Sequence, residues 1–243
     1  MAHGAGLVLV VIAGCGRIDF TPLALIDADA RPLCERVTGV IYCNDFEGGA
    51  LPGVRMSAGM YTFVPGGGYL GTDGYRLDAP VPGDRPEFQI DLPTPITFGE
   101  LHIGGRMLVA PGAPVAGYAV IAEADYVGAG KVSFDLQGMD RANVVNTVAT
   151  PTGQVLAAVG SFPRGRWACF DFVVFADADG GAGYAAVSID DVPTVEGFDH
   201  MLTMPVGGWT QATIGLITGS ANTESMTATF DNWIVSTSPI GCP

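Results

Sequence analysis

The sequence predicts an all-β protein, an antiparallel sandwich or jelly roll, from three observations. Apolar and polar residues alternate with period two in "KVSFDL", where Val132, Phe134 and Leu136 take one face and Lys131, Ser133 and Asp135 the other. "ELHIGGRMLV" does the same, with Leu101, Ile103, Met107 and Val109 opposite Glu100, His102 and Arg106. Period two with one apolar face is the pattern of an antiparallel sheet packed on one side. Helical periodicity is nearly absent, and 35 Gly and 17 Pro fall without a fixed period, as in a sheet protein with many turns. The 243 residues, 48% hydrophobic, suffice for a sizeable core. A net charge of −14 argues against a nucleic-acid partner, which would need a basic footprint.

Along the chain, residues 1–14 read as a signal peptide. The apolar run Leu7–Ala13 is too short to span a bilayer as a helix, which takes about 20 residues. Its end, Ile12-Ala13-Gly14-Cys15, resembles a bacterial lipobox, in which cleavage precedes a lipidated cysteine; the leading segment departs from such signals in carrying His3 but no Lys or Arg. The resemblance implies a lipoprotein anchored through Cys15 in the cell envelope, outside the cytoplasm. Residues 15–33 show no sustained period and read as a tether, leaving 34–243 as the folded domain.

Four further cysteines, Cys34, Cys43, Cys169 and Cys242, suggest two disulfides in an exported chain, with three possible connectivities. Cys34–Cys43 is local, and Cys169–Cys242 would then tie the last residues to an internal strand. No C-x-x-C occurs to support zinc or redox chemistry.

Strand-like runs recur near 40–43, 61–64, 75–78, 87–92, 100–109, 116–124, 131–136, 143–149, 154–160, 167–176, 184–190, 210–217 and 227–235. More than ten short strands with turn signals between them indicate a sandwich or jelly roll. "WACFDFVVFA" is apolar on both faces except at Asp171, as expected of a strand covered on both sides. Between it and the next run lies "DADGGAG". As an EF-hand loop from Asp177 it would need Gly and Glu where Ala182 and Ser188 stand, so it reads as a hairpin turn.

"CNDFEGG" (43–49), "GRWACFDFVVF" followed by "AAVSIDDVPT", and "ATIGLI…ATFDNWIVSTSPIGC" together resemble the concanavalin A-like lectin/glucanase superfamily, including its laminin-G-like bacterial domains. Phe230-Asp231-Asn232 is the most telling match, and the resemblance covers 40–242. It implies two curved antiparallel sheets, the concave one often holding saccharide. Fold alone does not choose among the binders, hydrolases, lyases and structural modules of that superfamily. The Glu-x-Asp-x-(x)-Glu strand of its retaining glucanases is absent: "EADY" from Glu123 lacks the second Glu. "FQID" (88–91) is only a fragment of the lyase motifs, Ser161 and Ser220 lack a G-x-S-x-G frame, and His3, His102 and His200 form no metalloprotease pair.

One constellation of candidate site residues remains. If the runs around 101–109 and 117–124 form a hairpin about Gly112-Ala113, His102 opposes Glu123 and Arg106 opposes Ala119 on one face, with Lys131 or Asp135 on the next strand. Such a face is either solvated, its charge pairs adding roughly 0.2–1 kcal/mol each, or a groove that meets ligand. Tyr61, Tyr69, Trp209 and Trp233 are candidate sugar platforms or packing residues. No catalytic residue, cofactor or metal is assigned, although Asp190, Asp191 and Asp231 are of the type that holds calcium. The expected function is polysaccharide or cell-surface glycan binding without catalysis. The alternatives are a divergent glycoside hydrolase or polysaccharide lyase using Glu123 with His102, and a structural envelope module.

Overall fold

The computed structural model describes residues 33–80, 83–111, 117–126, 130–148, 153–176, 182–203, 207–219 and 225–242. The signal peptide, Cys15 and nearly all of the tether lie outside these residues, as do 177–181 of the acidic turn. A short helix α1 (Leu33–Arg36) precedes fifteen strands: β1 (Val40–Asn44), β2 (Arg55–Met56), β3 (Met60–Val64), β4 (Gly74–Ala79), β5 (Glu87–Ile96), β6 (Gly99–Val109), β7 (Tyr118–Tyr126), β8 (Gly130–Gln137), β9 (Arg141–Asn146), β10 (Gly153–Leu156), β11 (Trp167–Ala176), β12 (Ala182–Ile189), β13 (Val192–Thr203), β14 (Trp209–Thr218) and β15 (Met226–Ser236). They form two antiparallel sheets. One, of eight strands, runs β13-β12-β11-β6-β15-β4-β3, with β1 also on β15; the other, of seven, runs β10-β9-β8-β7-β14-β5-β2. This is the expected jelly-roll sandwich.

The core lies between the sheets and is built by the alternation read in the sequence. Leu101, Ile103, Met107 and Val109 of β6 are fully buried against Val132, Phe134 and Leu136 of β8, with Phe170 and Phe172 of β11 filling the centre. β11 sits inside its sheet between β6 and β12, and its outward side is also largely apolar because other groups cover it. Tyr69 meets Trp167, Cys169 is bridged to Cys242, and Phe98 and Tyr184 pack on Phe175. β12 pairs antiparallel with it from Phe170↔Ile189 to Val174↔Ala185, so the acidic run at 177–181 connects two strands of one hairpin.

Two strands are not legible in the sequence. β2 has two residues, and β13 carries Pro193 and Gly197 within "VPTVEGFDHMLT". Proline interrupts a ladder and is tolerated at a sheet edge, where β13 lies.

β15 contains a bulge. Its register against β6 shifts between Asp231 and Ile234, with Asn232 at φ 58°. The extra residue lets both Phe230 and Trp233 point into the core, three positions apart, while Asp231 and Ile234 point outward. Gly105 lies opposite: a Cβ there would come within 1.9 Å of the Asn232 carbonyl oxygen.

Both disulfides form as expected, Cys34–Cys43 and Cys169–Cys242. They secure the ends of the described chain. Leu33 and Ile240 pack with Ile234 in a small second core on the outer face of the eight-stranded sheet.

Candidate functional site

β6 and β7 follow one another in the chain but lie in different sheets, which corrects the hairpin expected about residues 112–113. His102 stands beside Val173 and Ser236 rather than Glu123, and Arg106 beside Cys169 and Asp231 rather than Ala119. Alternation tells which residues of a strand share a face; it carries no information on which strand lies alongside. His102 and Arg106 project from the outer face of the eight-stranded sheet and Glu123 from that of the seven-stranded one, so Glu123 and His102 cannot act as an acid–base pair.

Nor is the face of His102 and Arg106 open to solvent. His102 is 4% and Arg106 6% exposed. The C-terminal segment after β15 crosses the sheet over His102, and the loop carrying Tyr69 covers Arg106. His102 Nδ1 lies 3.0 Å from Asp171 Oδ1, and Nε2 lies 3.1 Å from Glu100 Oε2. Tyr184 donates to Glu100, and the Ile240 amide donates to Asp171 Oδ2 at 3.1 Å. Burial disfavours the charged imidazolium, but the Asp171 and Glu100 carboxylates outweigh it and raise the His102 pKa. With both ring nitrogens engaged, this histidine has neither to offer a ligand. The Arg106 guanidinium carbon lies 3.6 Å from the Tyr69 ring centroid, and Tyr69 sets its edge on Trp167. Asp231 Oδ2 fixes that loop by accepting from the Tyr69 amide at 2.8 Å and the Thr72 hydroxyl at 2.6 Å. Burial pushes the Asp231 carboxyl up to about 6.

Of the three aspartates considered for calcium, Asp190 and Asp191 are neighbours in the turn between β12 and β13, and Asp231 lies away from them on β15. Asp190 accepts from the Cys169 amide and pairs with Arg166, and Asp191 accepts from the Cys242 amide. Two strands, β11 and β6, separate Asp190 from Asp231. Among the described residues no group of three or more His, Cys, Asp or Glu is placed to hold a metal ion.

The concave site lies instead on the outer face of the seven-stranded sheet. At one end of that face the polar side chains satisfy one another: Arg55 forks onto Asp91 with two 2.7 Å bonds, and Gln211 bridges Gln89 and Asp91. At the other end a groove of about 400 Å³ is lined by Arg85, Tyr118, Lys131, Ser133, Asp135 and Gln154, among others. A second cavity of about 400 Å³ adjoins it, shares Tyr118 and Gln137, and continues to Met139 and Arg141. The polar residues of β8 line the floor because their neighbours Val132, Phe134 and Leu136 fill the core. Ser133 donates to Asp135 at 2.7 Å, and Lys131 donates to Glu123, which is 4% exposed beneath it. Burial dominates at Asp135, with Glu123 adding to it against Ser133 and Lys131, and pushes its carboxyl up to about 7. Of the expected trio, only Glu123 belongs to this region, with Lys131 and Asp135 beside it as the next strand.

The sequence missed the exposed aromatic here. Tyr118 is 42% exposed, and the Cα side of Gly219 packs against its ring, where a Cβ would come within 2.6 Å. The four aromatic candidates serve elsewhere. Trp209 and Trp233 are buried, Tyr69 stacks on Arg106 over the outer face of the other sheet, and the Tyr61 hydroxyl bonds the backbone of Ser57 and Glu87. Arg85 and Gln154 lie in a connection and on an edge strand, where no period announces them.

No family model matches the sequence, and no curated protein matches it. Among solved structures the chain is similar to an endo-β-1,4-glucuronan lyase from the fungus Trichoderma reesei, with a TM-score of 0.60 and 15% identity over 84% of this chain and 100% of that one. It is similar to the cellulose-induced protein Cip1, with a TM-score of 0.64 and 14% identity over 83% of this chain and 100% of that one. The binding domain of botulinum neurotoxin serotype D/C gives a TM-score of 0.58 and 9% identity over 86% of this chain and 50% of that one. At such identities the likeness is one of fold, a jelly-roll β-sandwich.

Proposed function

We propose that the protein binds a polysaccharide or cell-surface glycan in the groove of the seven-stranded sheet, without catalysis, as a lipoprotein held to the cell envelope through Cys15. The observation that carries this reading is the groove itself: hydrogen-bonding side chains on its floor and a supported tyrosine ring on its wall. Sugars meet proteins through just such a pairing of an apolar ring with donors and acceptors. Support for the ligand class comes from the structural neighbours, one named as a glucuronan lyase and one neurotoxin binding domain described with two ganglioside molecules. Support for export comes from the two disulfides, which belong to oxidising compartments. Among the described residues no helix is long and apolar enough to cross a membrane.

A soluble-glycan panel that includes glucuronan and cellulose tests the groove, with reducing-end and unsaturated-product assays run alongside. Binding without new products is expected, and loss of binding in Tyr118→Ala locates it. Cys15→Ser tests the anchor: lipid labelling and membrane fractionation should both disappear, and unchanged membrane association rejects it.

One observation favours the second reading, a glycoside hydrolase or polysaccharide lyase. Asp135, its carboxyl pushed up to about 7, lines the groove and can give up or take a proton near neutral pH. New reducing ends or unsaturated products that vanish in Asp135→Asn would establish that reading in place of the first.

A further inference from the structure

The charges of the groove are unlike those of the chain around it. The chain carries 25 acidic residues against 11 Lys and Arg. The two cavities, by contrast, are lined among the described residues by three cations, Arg85, Lys131 and Arg141, and a single carboxyl, Asp135. Two of the cations have carboxylates at their backs: Lys131 donates to Glu123, and Arg85 lies 3.6 Å from Glu87. Arg141 differs. Its Nε is buried with no hydrogen bond, and among the described residues it forms no ion pair. Arg141 lines its cavity without a carboxylate beside it in the described lining, and the planar fork of arginine is matched by the two oxygens of a carboxylate. Arg141 stands directly across from Gln137 on β8, in the cavity on the far side of Tyr118 from Lys131.

We propose that the groove takes an acidic saccharide, a chain of uronate-type sugars at least two units long. The carboxylate of one unit is held by Arg141, and the neighbouring unit lies past Tyr118 against Lys131 and Ser133. The inference rests on the reading of the groove as a glycan site and adds to it the charge of the ligand and its minimum length. Tyr118 and Gln137 line both cavities, so the ring stands where the two meet, and each cavity, at about 400 Å³, has room for at least one sugar unit. A neutral glycan fills the same space and hydrogen-bonds the same floor, but leaves the Arg141 N–H groups as they are.

The test uses two β-1,4-linked series that differ at C6, glucuronan oligomers bearing a carboxylate and cellulose oligomers bearing a hydroxymethyl group, each from monomer to hexamer. Titration of the full chain should give binding to the glucuronan series, at least about tenfold tighter for the dimer than the monomer, and weakening as salt screens the charges. Arg141→Gln should reduce that affinity by about tenfold to a hundredfold with little change in Tm. Arg141→Lys, which keeps the charge but not the fork, should restore it in part. Equal affinity for the cellulose series, no gain from monomer to dimer, or Arg141→Gln binding like wild type overturns the inference. So does binding of a neutral glycan from the panel without binding of glucuronan, which leaves the groove reading intact. Absence of binding to every glycan removes both. If Arg141→Gln does not fold, a wild-type affinity for glucuronan indifferent to salt overturns the inference without a substitution.

Discussion

Buried ionisable side chains on both sheets, Asp135, His102 and Asp231 among them, make stability follow pH. Asp135 has a folded-state pKa of about 7, far above the ordinary aspartate value of about 4. The fold accommodates the protonated carboxyl, so its contribution is complete below about pH 4 and is lost as pH rises through 7. Asp135→Asn should therefore flatten the stability curve between about pH 4 and 7 and raise Tm at about pH 8. The gain there is on the order of 3–4 kcal/mol, because each tenfold change in proton affinity is worth roughly 1.4 kcal/mol. His102 acts in a later window. Its raised pKa means that the bonds from Asp171 and Glu100 stabilise the imidazolium fully below about pH 6.5, and that this contribution is lost as pH climbs through the higher folded value. His102→Gln should be most destabilising in mild acid, and its deficit relative to wild type should shrink above neutrality. Thermal melts of the two variants at about pH 5, 7 and 9 check both outcomes, and a constant offset from wild type at all three contradicts them.

Among the strands, β15 shows where reading by period succeeds and where it stops. A strict alternation through "ATFDNWIVS" would turn Trp233 outward; the bulge at Asn232 turns it back into the core. The bulge needs room, and Gly105 supplies it at φ 156°. Gly105→Ala should lower stability by about 2–3 kcal/mol, because its methyl group cannot coexist with the Asn232 carbonyl oxygen. Guanidinium unfolding measures this, and an unchanged midpoint would show that the bulge is dispensable. The faces of β6, β8 and β11 are legible in the sequence because face is a local property of a strand. The neighbours of β6 are not: they come from residues 59 or more positions away, and local sequence is silent about such pairings. The same distinction explains the site. The polar row Lys131, Ser133 and Asp135 stands in the sequence as one face of a strand, but which residues meet it from Arg85, Arg141 and Gln154 is decided by the pairing of other strands. Two disulfides are legible from cysteine number and export, but which cysteines pair is not, because the choice among three connectivities is made by the fold. Cys169–Cys242 closes a span of 73 residues, and its replacement by two serines should cost about 2–4 kcal/mol and speed hydrogen exchange at the Ile240 amide, which Asp171 holds.

Viewed whole, the molecule has a fastened back and a receptive front. The ends of the described chain meet in one small core, Leu33 against Ile234 and Ile240, on the outer face of the eight-stranded sheet. The groove opens on the outer face of the other sheet, with the full thickness of the sandwich between. A handle added at either end of the described chain therefore leaves from the back. On a sensor chip or bead, capture through the amino end should present every copy with its groove toward the solution, whereas random coupling through surface amines would reach Lys131, which lines the groove. Lys131 is the sole lysine of the chain. Amine chemistry is thus doubly unsuited to this protein: beyond the terminal amine, its one lysine target is part of the surface it would be meant to display.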